Sequence, residues 1–266
     1  MSPLPLVLVH GGGHGAWCWE PTLEHLTSEV LAVDLPPKEV RGGAGRHGQP
    51  PELLTLTVSD FAASVLDDVD AAEYDRFVLV GHSMAGLTIP EVARRAPERV
   101  AQLVFLSCTV PAEGENSIDV LMAGAADVGE IAAANIEAAS ANIDTAQHGG
   151  DPGPQLSEDR VREMFCNDMD DEQTRFVLDN FGSEALPIVA ERVSREGLTA
   201  DISKTWIRLL EDAILTPGIQ DVCIANLEAS PGGRVTVIEL GSGHNAMISH
   251  PRELAEIIDG IAAAGA

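Results

Sequence analysis

The sequence predicts an α/β protein with a mainly parallel central sheet covered by helices on both faces. Three observations carry this. Short apolar, β-branched runs alternate with amphipathic stretches at both ends of the 266-residue chain, the pattern of parallel strands joined by crossover helices. One run, Phe77 to Val80, stops at Gly81-His82-Ser83-Met84-Ala85-Gly86 and passes into a helical pattern within two residues. Finally, Gly11-Gly12-Gly13, Ser83, Glu211-Asp212 and His244 all follow a predicted strand, the edge where chemistry gathers in such sheets.

Taken in order, Leu4 to Val9 is a first buried strand, ending at His10-Gly11-Gly12-Gly13-His14-Gly15. A helix follows from about Glu20 to Leu26, with Pro21 suited to its first turn. Val30 to Val33 is the second strand, and residues 36–56, rich in Pro, Gly and Arg, read as a loop. Thr57 to Asp70 has helical spacing, with Val58, Phe61, Ala62, Val65, Leu66 and Val69 on one face. The central strand leads into a helix over Met84 to about Ala96, which Pro90 kinks or restarts. Val100 to Ser107 is the fourth strand.

From Pro111 to about Ser203 the alternation stops and Ala-rich helical stretches follow, parted by the loop Asp144 to Gln155 containing His148. Helix starts are legible at Ser157 and at Asp170, whose Gln173 stands in capping-box spacing. The block reads as a helical insertion. The core resumes with Trp206 to Leu210 as a strand ending at Glu211-Asp212, a helix over Pro217 to Glu228, a last strand Val235 to Leu240, and a closing helix from about Pro251.

Composition narrows the function. The formal charge of −26 repels nucleic acid and anionic membranes, so neither is an expected partner. Residues 111–200 carry 19 acidic and 5 basic side chains, read as a solvated surface. The first residues lack the positive charge of a signal peptide, and no apolar run is long enough to span a bilayer; the expectation is a soluble cytoplasmic protein. Cys18, Cys108, Cys166 and Cys223 are scattered without a C-x-x-C pair, which argues against a zinc site and suggests reduced, buried thiols.

A strand turning into a helix within two residues leaves little room at the corner. Gly81, Ala85 and Gly86 meet that demand and leave the Ser83 hydroxyl exposed beside the positive end of a helix. The pattern is G-x-S-x-G with Ala85 at the last place. A serine hydroxyl needs a base held by a carboxylate. His244, in a glycine-flanked loop after the last strand, is the expected base; His10 and His14 shape the glycine loop, His82 points away from the apex, and His250 is a cap or surface residue. Between Ser83 and His244, both Glu211 and Asp212 leave a strand end. Adjacent residues there point opposite ways, so one acid faces the histidine, and Asp212 is the choice. The Gly11–Gly13 loop lacks G-x-G-x-x-G spacing and a Walker lysine. It suits an oxyanion loop, with the Gly12 and Met84 N–H groups as donors.

Together, His10-Gly11-Gly12-Gly13-His14-Gly15-Ala16-Trp17-Cys18-Trp19, Asp34-Leu35, Gly81-His82-Ser83-Met84-Ala85-Gly86, Glu211-Asp212 and Gly243-His244 resemble the α/β-hydrolase superfamily, in its branch of plant methylesterases, hydroxynitrile lyases and bacterial esterase relatives. The resemblance implies an α/β-hydrolase fold with core segments 1–110 and 204–266 and a helical lid over 111–203. It implies a Ser83–His244–Asp212 triad, an oxyanion hole from Gly12 and Met84, and a pocket between core and lid. Met122, Met164, Phe165, Phe176 and Phe181 are candidates to line it, with core packing as the alternative. The implied activity is cofactor-independent and metal-free hydrolysis of a small apolar carboxylic ester, lactones and aryl esters included. Hydroxynitrile lyases of this branch carry threonine and lysine where this chain has Gly11 and Asn245, so a lyase reading stands second. A small-molecule binder with a weak triad stands third.

Overall fold

The computed structural model describes residues 3–37, 53, 55–123, 156–182, 187–199 and 201–265. Most of the predicted loop over 36–56, the Ala-rich stretches after Ala123 and the loop Asp144 to Gln155 with His148 lie outside the described residues.

Six strands, β1 (Leu6–Val9), β2 (Val30–Val33), β3 (Phe77–Ser83), β4 (Val100–Cys108), β5 (Ser203–Leu209) and β6 (Val235–Leu240), form one parallel sheet in the order β2-β1-β3-β4-β5-β6. Each central strand divides its side chains between two cores. Val7, Val9, Leu79, Leu103 and Phe105 enter one; Leu6, Leu8, Val80, Val104 and Leu106 enter the other. That two-sided burial is why these strands read as unbroken apolar runs.

On the first face lie α2 (Val58–Ala71), α3 (Ala85–Arg95) and, after two short helices α4 (Ser117–Ala123) and α7 (Pro187–Ala190), the long α8 (Pro217–Ala229). On the other lie the short α1 (Glu20–Leu23), α5 (Glu158–Phe165), α6 (Asp171–Asn180), α9 (Ala246–Ser249) and the closing α10 (Pro251–Ala264). The predicted starts hold in detail. Asp170 and Gln173 form a capping box at α6, and the Ser157 hydroxyl accepts from Arg160 N–H at α5; α2 begins on a capping box of Thr57 and Asp60 that the sequence reading did not name. Among the described residues no helix is long and apolar enough to cross a membrane.

Several elements differ from the sequence reading, β5 among them, which starts at Ser203 and not Trp206. The helix expected to Leu26 ends at Leu23 and is preceded by a 3-10 turn over Ala16–Trp19; Thr27 and Ser28 are drawn off by bonds from their N–H groups to the Asp259 carboxylate of α10. Strand β3 runs three residues past its apolar stretch, because Gly81, His82 and Ser83 still pair with β4. And α3 passes through Pro90 as one helix, which rules out the restart of the two readings given for Pro90.

The strand order reverses between β1 and β3. Their following loops therefore flank the crevice where ligands bind in open parallel sheets. Val9 is in register with Gly81, which brings the Gly11–Gly13 loop beside Ser83.

Candidate active site

Ser83 ends β3 with φ at +53°, a left-handed conformation that a serine adopts only where its surroundings impose it. The small residues of the motif impose it. A Cβ on Gly81 would stand 3.0 Å from Ile89 and 3.1 Å from the Ala85 methyl, and one on Gly86 would strike the Thr109 carbonyl. The helix after this corner starts with N–H groups that have no intrahelical acceptor, so its positive end faces the hydroxyl.

The glycine loop packs against the same corner. A Cβ on Gly11 would lie 2.6 Å from the Ser83 Cβ. Gly13 has φ at +71°, and a side chain there would strike the Phe181 ring. Both neighbouring histidines hold this backbone: His10 Nδ1 donates to the Gly11 carbonyl at 2.8 Å and His14 Nδ1 to that of Gly12 at 2.7 Å. His10 Nε2 then accepts from the Leu35 N–H at 3.0 Å. Burial pushes both imidazoles below their usual range, His14 to about 3.

His244 is fully buried after β6. Its Nδ1 lies 2.7 Å from Asp212 Oδ2 and its Nε2 3.0 Å from Ser83 Oγ. A carboxylate can only accept there, so Nδ1 carries the proton and Nε2 is left to accept from the hydroxyl. Asp212 is buried and Glu211 exposed; the alternation expected at the strand end sends one inward and one to solvent. The second Asp212 oxygen accepts the Ile214 and Leu215 N–H groups at 2.8 Å each, which fixes the plane of the carboxylate.

His82 departs from its expected place. Its ring turns beneath the His244 loop, 4.6 Å from the His244 ring, and its Nε2 donates to the His244 carbonyl at 2.9 Å. Burial pushes it well below its usual range, which keeps it a neutral prop.

Three residues, Ser107, Asn167 and Asp168, were not picked out from the sequence. Ser107 Oγ donates to Asp212 Oδ2 at 2.7 Å. Asn167 Nδ2 donates to the Glu211 carbonyl at 2.8 Å, and Asp168 Oδ2 accepts the Gly243 N–H at 2.6 Å and the Ser242 hydroxyl at 3.1 Å. Asn245 turns its amide inward to the Phe165 carbonyl at 3.2 Å. Asn167 and Asp168 fall in a polar turn after α5, and only its contact with the His244 loop distinguishes it from other acidic turns.

Of the five apolar candidates, Phe165 and Phe181 reach the histidines of the site, and Phe176 packs on Trp17. Phe165 stands 5.6 Å from the His244 ring, Phe181 5.4 Å from His14, and Phe176 5.5 Å from Trp17. Met164 is core, and Met122 is 59% exposed. The four cysteines are buried and free; burial pushes Cys166 to about 11 and Cys223 to about 12. Among the described residues no group of His, Cys, Asp and Glu side chains could hold a metal ion.

A serine at a strand-to-helix corner, joined through an imidazole to a saturated carboxylate in chain order Ser-Asp-His, defines a hydrolase-type site on an open parallel sheet. The family model described as the alpha/beta hydrolase family matches residues 6–257, and the chain belongs to that family. It is similar to esterase PIR7B of Oryza sativa subsp. japonica, 27% identical over 270 residues that cover 96% of this chain and 94% of that one. PIR7A of Oryza sativa subsp. indica is 37% identical over 115 residues, a stretch spanning 41% of either chain. Among solved structures, an extracellular alpha/beta-hydrolase from a Paenibacillus species superposes with a TM-score of 0.73 at 22% identity, covering 96% of this chain and 98% of that one.

Proposed function

We propose that this chain, a carboxylic ester hydrolase, works through an acyl-enzyme on Ser83. The unbroken hydrogen-bond path from Ser83 Oγ through His244 to Asp212 carries the reading. His244 Nε2 takes the hydroxyl proton as Ser83 Oγ attacks the ester carbonyl. The charge that develops on the carbonyl oxygen is met by the Gly12 and Met84 N–H groups. As the tetrahedral species collapses, His244 gives its proton to the leaving alcohol. Water, deprotonated by the same imidazole, then attacks the acyl group, and Ser83 leaves with the proton restored. Asp212 keeps the His244 tautomer and offsets its transient positive charge.

Residues 111–203 act as a lid over the two core segments, 1–110 and 204–266, with Phe165, Phe176 and Phe181 as its contribution to the pocket wall. That aromatic lining favours a small ester with an apolar or aryl group. The close approach of Gly11 to Ser83 leaves no room for the threonine of a hydroxynitrile lyase, and the buried Asn245 supplies no cation for a cyanide leaving group. Hydrolysis therefore stands ahead of lyase chemistry.

The test is stoichiometric labelling by a fluorophosphonate together with turnover of a panel of aryl and alkyl esters. Ser83→Ala is expected to abolish labelling and remove on the order of 10⁶ in kcat. Ester turnover by that variant near the wild-type rate would end the reading.

A further inference from the structure

We infer that Ser107 is a positioning residue for the reaction, its hydroxyl fixing the Asp212 carboxylate oxygen that faces His244. The inference rests on the acyl-enzyme reading and adds a fourth side chain to its hydrogen-bond path.

The geometry at β4 is the warrant. His82 pairs with Leu106, but Ser83 pairs with Cys108, so Ser107 is an extra residue in the ladder. Up to that point the side chains alternate, Leu103 and Phe105 to one core, Val104 and Leu106 to the other. Without the bulge, residue 107 would enter the core beneath α3. Cys108 takes that place instead, and the inserted Ser107 is re-aimed, as bulges beside active sites do. It sits at φ +40°, fully buried. An unfavourable backbone at a serine persists only where the fold holds it there.

What this conformation secures is one hydrogen bond. Ser107 Oγ and His244 Nδ1 meet the same oxygen, Asp212 Oδ2, each at 2.7 Å. The other oxygen is taken by Ile214 and Leu215 N–H. All four lone-pair directions of the carboxylate are thus filled by protein donors. A hydroxyl donating to Oδ2 stabilises the carboxylate and draws charge from it. With every lone pair engaged, the carboxylate cannot rotate, and the oxygen that faces His244 Nδ1 stays in the plane of the imidazole's N–H.

Two variants separate this role from space filling. Ser107→Gly removes the hydroxyl while suiting the backbone at φ +40°, and Ser107→Ala removes it with the strain kept. Both are expected to lower kcat roughly tenfold with KM within about twofold, the split that separates positioning from a general loss of structure. The Gly variant should melt at or above the wild-type temperature. A Ser107→Gly protein with wild-type kcat overturns the inference, while wild-type labelling by fluorophosphonate keeps the acyl-enzyme reading intact. Absence of labelling and turnover in the wild type removes both.

Discussion

The two halves of the site are built in different ways. Ser83 is held by its own neighbourhood: Gly81, Ala85 and Gly86 lie within three residues of it, and β3 and α3 join directly through it. His244 and Asp212 are held from a distance. Their loops are tied down by Ser107 from β4, by His82 from β3, and by Asn167 and Asp168 from the turn after α5. The serine side is thus a local conformational device, and the histidine–carboxylate side is an assembly of long-range hydrogen bonds. Changes near Ser83 should act through sterics, changes around His244 through lost polar contacts.

The sharpest way to break the comparison is at the acid. Asp212→Asn offers an N–H where His244 needs an acceptor, and kcat should fall by roughly 10⁴-fold; steady-state kinetics on an aryl ester measure it. Next comes the steric side. Gly11→Ala puts a methyl 2.6 Å from the Ser83 Cβ and 3.1 Å from the His82 carbonyl, neither of which is a flexible group. Displacing the nucleophile by a fraction of an ångström should cost roughly 10- to 100-fold in kcat, and a loss below twofold would show that the corner yields.

On the distant side, Asp168→Ala strips the Gly243 N–H of its acceptor. An unsatisfied buried donor costs about 1–3 kcal/mol, so thermal unfolding should occur several degrees lower and kcat should drop roughly tenfold. Unaltered kcat with a lowered melting temperature would limit Asp168 to stability. Glu211→Gln is the smallest change, expected to leave kcat within about twofold, because Glu211 takes part through its backbone and an exposed side chain is seldom worth more.

Stability against pH sharpens the same contrast. Burial holds His10, His14 and His82 below the ordinary imidazole range, His14 at about 3. The unfolded chain takes up protons on these rings as pH falls through about 6.5, while the folded chain does not. Their contribution is therefore complete above about 6.5 and is lost progressively below it, by up to about 1.4 kcal/mol per pH unit for each ring. Urea unfolding at pH 7, 6 and 5 reads the slope, and His14→Gln should reduce it. A flat response would mean that these rings protonate in place.

The strands were legible because two-sided burial leaves a continuous apolar run, as in Leu6–Val9 and Phe77–Val80. Caps at Ser157 and Asp170 were legible because their chemistry spans three residues. The length of β3 beyond Val80 was not, since Gly81, His82 and Ser83 belong to the strand only through pairing with β4. His82 was misread for a related reason: its neighbour is the carbonyl of a residue 162 positions away.

By itself, then, the sequence determined the alternating strands and helices, the serine at a crowded corner, and the order in which serine, acid and histidine follow strands. These depend on side-chain size and on spacing within a few residues, which the chain carries locally. Folding in three dimensions set the geometry in which Asp212 meets His244, the bulge that turns Ser107 onto the same carboxylate, and the clasp of Asp168 on the histidine loop. Those contacts join residues 32, 105 and 75 positions apart. They exist only once strand register and loop docking have fixed which polar groups are buried together.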